Sequence, residues 1–124
     1  DNRYFNSERA NIYMTRGDND RLLDILSATT EVQEIIAEDL SAAANQKVKL
    51  RALERLLEII GEATSRLSEQ TTSQMPQVKW RLIKNSRVML AHEYFRISGN
   101  QVFDIARTDV PLLQNAVRDL LERA

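Results

Sequence analysis

Leu22, Leu23, Ile25, Leu26, Val32, Ile35, Ile36 and Leu40 recur at the spacing that gathers side chains into one stripe of an α-helix. A second run keeps the same period: Val48, Leu50, Leu53, Leu56, Leu57, Ile60, Ala63 and Leu67. Little can interrupt either run, because the chain of 124 residues holds only three glycines and two prolines. The periodicity and the abundance of Leu, Ala, Glu, Arg and Gln make the fold all-α.

The first helix is expected to begin after Gly17, with Asp18 or Asn19 as its N-cap. Ala42-Ala43-Ala44-Asn45 leads into the second helix, where the interior Gly61 costs about 1 kcal/mol relative to alanine and implies close approach of another helix. Thr71-Thr72-Ser73-Gln74 reads as a loop. A third helix is predicted from Pro76, through Trp80, to about Phe95, with Ser98-Gly99-Asn100 breaking it. A short helix over Val102–Arg107 and a last one capped by Thr108 or Asp109 follow. The last carries Pro111 in its first turn and a stripe of Leu112, Leu113, Ala116, Val117, Leu120 and Leu121. Short connections between such helices imply an antiparallel up-and-down bundle of four to five helices. Residues 18–124 form one domain, and residues 1–17 read as a flexible N-terminal extension. Met14 is a candidate native start, and the segment before it loosely resembles a protease-cleavage tag.

The absence of cysteine removes thiolate zinc sites, cysteine nucleophiles and disulfides, and fits a reducing cytoplasm. With a single histidine, a conventional transition-metal site is not expected, and neither is a cofactor. No apolar run is long enough to span a bilayer, and no signal peptide is expected. These features together predict a cytoplasmic location. A net charge of −1 argues against a general nucleic-acid coat, so any phosphate-binding surface must be local or doubled by self-association.

One stretch is strongly positive. Lys79, Arg81, Lys84 and Arg87 have no acid among them, and His92 and Tyr94 follow. Lys79, Arg81, Lys84 and Asn85 are candidate contacts for an RNA phosphate. Arg87 offers a planar cationic fork, and His92 is the one side chain whose unperturbed pKa lies near neutrality. On an ideal helix Arg87 and Tyr94 lie within about 20° of each other, on the face of Trp80. His92 is turned by roughly 140° from Arg87 and aligns with Arg81, Asn85 and Val88. Either the helix loosens near His92, or a second copy of the chain supplies the other half of the site. Metal-free RNA cleavage needs both a base and an acid, and a two-fold dimer brings two histidines.

Arg87-x4-His92-x-Tyr94 resembles the signature of the HEPN superfamily, in particular the HepT-like toxins paired with MntA-like nucleotidyltransferase antitoxins. The likeness extends to Ala52–Arg55 with Ile59–Ala63, to Pro76–Trp80, to His92–Phe95 and to Asp109–Leu113, in that order. It covers roughly Arg21 to the C-terminus. The resemblance implies a helical-bundle homodimer whose Arg87 and His92 act as a metal-independent ribonuclease at the two-fold axis. It also implies that the cognate antitoxin transfers AMP to Tyr94 and silences the toxin. The chain departs from the family at Val88, where a polar residue commonly follows the motif arginine.

Blander roles exist for the same residues. Arg87 can pair with Glu58 or Glu62, and Trp80 and Tyr94 suit half-buried aromatic positions at a helix interface. The second functional reading is a non-catalytic HEPN module that binds nucleotide or a nucleotidyltransferase partner.

Overall fold

The computed structural model describes residues 16–38, 43–81, 83 and 99–123. Every regular element among them is helical, as the apolar periodicity predicts: α1 (Arg16–Ala37), α2 (Ala43–Ser65), the single turn α3 (Glu69–Thr72), α4 (Gly99–Asp104), a π-helical turn (Ile105–Asp109) and α5 (Val110–Arg123). A further helical stretch opens at Trp80 and includes Arg81 and Ile83. No described helix is long and apolar enough to cross a membrane.

Two contacts at opposite ends hold α1 and α2 as an antiparallel hairpin. Near the start of α1, the Asp18 carboxylate accepts the Ser68 N–H at 3.1 Å, just past the end of α2. At the other end, the Lys49 ammonium donates to the Glu38 carbonyl at 2.8 Å. Lys49 is buried and supplies the cation that the last turn of α1 lacks. We predict that Lys49→Met lowers stability by about 1–2 kcal/mol, read by urea denaturation, because the Glu38 carbonyl loses its charged partner. A loss under about 0.3 kcal/mol would remove the lysine from this capping role.

The core follows the two predicted stripes for most of their length. Leu22, Ile25 and Val32 of α1 meet Leu53, Leu57 and Ile60 of α2, and Leu113, Val117 and Leu120 of α5 close the bundle. Gln114 of α5 reaches back to the Thr30 hydroxyl of α1 at 3.2 Å. Three stripe residues lie outside the core: Val48 is 68% exposed, Leu112 49% and Leu23 38%. Each sits next to a buried neighbour, and successive helical positions are about 100° apart, so an adjacent pair cannot share one narrow stripe.

The ends of the elements differ from the sequence expectation in four places. Helix α1 starts at Arg16, so Asp18 is a first-turn residue, and its side chain reaches Ser68 across the hairpin. The expected loop at Thr71–Gln74 begins as the helical turn α3, because the Ser68 hydroxyl caps it by accepting the Thr71 N–H at 3.2 Å. Pro76 lies in a turn and not in a helix, with helix starting at Trp80. Met75 and Val78 are buried on either side of it, which holds this stretch against the core. Finally, neither Thr108 nor Asp109 caps a separate last helix. The chain runs from α4 through the π turn into α5 without a break, and the Thr108 hydroxyl bonds back to the Asp104 carbonyl at 2.6 Å. Pro111 explains the wider turn, since its ring crowds the carbonyl four residues earlier and it has no N–H to donate.

Candidate functional site

Lys79 and Arg81 flank Trp80 at the mouth of the basic stretch, and both are exposed. Their placement comes from the loop before them. The Val78 N–H donates to the Met75 carbonyl at 3.2 Å and the Trp80 N–H to the Val78 carbonyl at 3.0 Å. The indole N–H of Trp80 adds a bond to the same Met75 carbonyl at 3.1 Å. With Met75 and Val78 buried, this loop is tied to the core by both apolar contact and hydrogen bonds. Trp80 is therefore a half-buried anchor, as its bland reading held.

The next anchor is Ile83. Its N–H donates to the Lys79 carbonyl at 3.2 Å, and its buried side chain lines a small apolar cleft with Leu57, Ile60, Ile105, Val110 and Leu113, which Asp109 also lines. Sixteen residues later in the numbering, Gly99 opens α4 against α2, where a Cβ would stand 3.4 Å from Leu50. Both flanks of the motif-bearing segment therefore rest on α2, on stretches about 10 Å apart along its axis. Lys84, Asn85, Arg87, Val88, His92 and Tyr94 lie outside the described residues.

The glutamates considered as partners of Arg87 each stand beside an arginine close in sequence. Glu58 is 3.5 Å from Arg55 and Glu62 is 3.0 Å from Arg66. Both pairs are exposed, so each contributes at most about 1 kcal/mol.

Two constellations were not singled out from sequence. One is the buried group of Asp18, Ser68 and Thr71, in which the carboxylate accepts from both hydroxyls and the Ser68 N–H. The other is a groove of about 550 Å³ between α1 and α2, whose walls carry Arg21, Asp24 and Glu31 opposite Arg55, Glu58, Glu62 and Arg66. Charged residues at helical period on both helices were the available signal, but nothing in sequence told a solvated face from a groove.

Comparison with known proteins follows the same segment. A family model described as Ribonuclease HepT-like matches residues 25–120, which span Lys79, Arg81, Lys84, Asn85, Arg87, His92 and Tyr94. A candidate RNase of Methanocaldococcus jannaschii is 33% identical over 97 residues, covering 77% of this chain and 89% of that protein. The probable ribonuclease HepT of Thermococcus cleftensis is 30% identical over 111 residues, covering 86% of this chain and 98% of its own. A candidate RNase of Caldanaerobacter subterraneus is 33% identical over 76 residues, 61% of this chain and 68% of that protein. No solved structure matches significantly. With most of its length matched by the family model, and with the motif inside the matched span, the chain belongs to the Ribonuclease HepT-like family.

Proposed function

We propose that this protein is the toxin of a toxin–antitoxin pair and a metal-independent endoribonuclease acting as a homodimer in the cytoplasm. The observation that carries the reading is the family match over residues 25–120, which encloses Arg87-x4-His92-x-Tyr94. In the proposed reaction His92 takes the proton of a ribose 2′-hydroxyl, whose oxygen attacks the adjacent phosphorus. The bond from phosphorus to the 5′-oxygen breaks, and the departing oxygen is protonated by the second His92 of the dimer. A 2′,3′-cyclic phosphate and a 5′-hydroxyl result. Arg87 holds the phosphate oxygens that gain charge. Lys79, Arg81, Lys84 and Asn85 hold the neighbouring RNA backbone, and the exposure of Lys79 and Arg81 is compatible with that role.

The cognate MntA-like nucleotidyltransferase silences the site through Tyr94. Its phenolic oxygen attacks the α-phosphorus of ATP, and pyrophosphate leaves with the electron pair of the broken bond. The AMP group places bulk and negative charge two residues from His92, opposing the approach of an RNA phosphate. Tyr94→Phe is expected to abolish AMP incorporation, measured by intact mass with the antitoxin and ATP, while RNA cleavage stays within about twofold of the parent. AMP found on another residue of the variant would defeat the assignment.

The test of the whole reading is RNA cleavage in EDTA by protein produced without its antitoxin. Cleavage by the parent supports a metal-free nuclease. Val88 favours one second reading, a HEPN module that binds nucleotide or a nucleotidyltransferase without cutting RNA, since no polar group follows the motif arginine. Failure to cleave by parent protein with unmodified Tyr94 would select that module.

A further inference from the structure

We propose that Trp80 is a stacking platform for an unpaired base of single-stranded RNA, with Lys79 and Arg81 holding the phosphates on either side of that base. This role rests on the RNA-binding reading above and names the form of RNA that the segment selects.

The ring is fixed before any ligand arrives. Its indole N–H donates to the Met75 carbonyl at 3.1 Å, and the buried Met75 and Val78 hold the loop that carries it. A ring already ordered by folding has little rotamer freedom left to lose when a flat partner stacks on it. Trp80 is nevertheless only half-buried, so part of the indole stays in water. No cation among the described residues lies over that ring, whereas the Arg107 guanidinium stands 5.2 Å from the centre of the Phe103 ring. Folding thus leaves the exposed part of the indole without a charged neighbour laid on it.

The flanking residues choose among flat partners. Lys79 and Arg81 are exposed and form no ion pair among the described residues. Each adjoins Trp80 in sequence, so the indole sits between two cations. No acid occurs between Glu69 and Glu93, so the local sequence holds nothing that repels a phosphate. A plain aromatic ligand has no use for the cations, and a phosphate alone has none for the indole. A base within a strand, with a phosphate before it and another after it, engages all three groups. In a duplex the base faces are closed by stacking and pairing, so a single strand is the form that offers one. The bond to Met75 explains why Trp80 is anchored, but not why the anchor stands between two exposed cations.

Trp80 is the sole tryptophan, so the ring is its own reporter. A short 2′-O-methyl oligoribonucleotide, which lacks the attacking 2′-hydroxyl, is titrated into the full chain while tryptophan emission is recorded. Saturable quenching is expected, because a stacked base quenches an indole. An abasic strand of the same length and charge should bind about tenfold more weakly and leave the emission unchanged. Trp80→Leu should weaken the base-bearing strand by about tenfold and the abasic strand by less than about twofold. Trp80→Phe keeps a ring but loses the bond to Met75, and should stay within about threefold of the parent. Anisotropy of end-labelled strands gives these affinities, with circular dichroism as the check on folding. Lys79→Ala and Arg81→Ala should each reduce the slope of log K against log salt by about 0.7. Binding without quenching, equal affinity for both strands, or a Trp80→Leu protein weakened alike for both, overturns the platform and leaves Lys79 and Arg81 as plain phosphate contacts. ATP, with phosphate on one side of its base only, should quench far more weakly; quenching as tight as that of the strand overturns the choice of RNA. Binding of neither strand overturns the platform and the two phosphate contacts together. No readout involves RNA cleavage, so failure of the platform is told apart from failure of the nuclease reading.

Discussion

His92→Ala is expected to lower RNA cleavage in EDTA by at least about 10²–10⁴-fold, the range for a single positioned proton-transfer group. The upper part of that range is the sharper expectation, because in a homodimer one substitution removes both histidines, and with them both the base and the acid. No cysteine is present to replace them. Arg87→Lys should separate charge from geometry. It keeps a cation but loses the planar fork, so a partial loss is expected where Arg87→Ala is severe. Single-turnover rates on one RNA, with the parent as reference, are the measurement. A His92→Ala protein that cuts within about threefold of the parent would take His92 out of catalysis, and with it the mechanism proposed here.

What could be read from sequence divides along physical lines. The stripes Leu22–Val32 and Leu53–Ile60 were legible because a helix imposes one period on every residue it buries, and that period survives in the order of residue types. The ends of elements were not legible in the same way. Pro76 satisfies the local rule for a helix start, yet burial of Met75 and Val78 keeps that stretch in turns and delays the helix to Trp80. Pro111 satisfies the same rule, yet the chain passes through it by widening to a π turn. In both places a tertiary or steric effect overrode a local preference. The candidate site divides similarly. The roles given to Arg87, His92 and Tyr94 rest on the resemblance of their motif to the family signature, and all three lie outside the described residues. Whether one helix or two copies bring Arg87 and His92 together depends on assembly, which spacing does not encode. Asp18 was misread for a simpler reason: its partners lie 50 residues away at Ser68 and 53 at Thr71, and sequence carries no sign of such a contact.

That contact carries the largest expected effect on stability. Asp18→Ala should destabilise the protein by about 2–3 kcal/mol, because it leaves the Ser68 N–H and two hydroxyls without their charged acceptor in a buried site. Asp18 is 3% exposed and Thr71 0%, so water cannot simply replace the carboxylate. The loss is smaller than three separate bonds would suggest, since the variant is also relieved of the cost of burying a charge. For a chain of this length the melting temperature should fall by about 10 °C. The network also predicts coupling. The Ser68 hydroxyl donates to Asp18 while accepting the Thr71 N–H that opens α3, so Ser68→Ala removes one bond to the carboxylate and the cap together. Adding Ser68→Ala to Asp18→Ala should therefore cost much less than the sum of the two alone, with a coupling of about 1 kcal/mol or more. Additive losses would mean that Asp18 and Ser68 act separately. A melting point within about 2 °C of the parent for Asp18→Ala would mean that the start of α1 is held by something else. Both outcomes are read from the same four thermal melts, and a clamp across the open end of the α1–α2 hairpin survives neither.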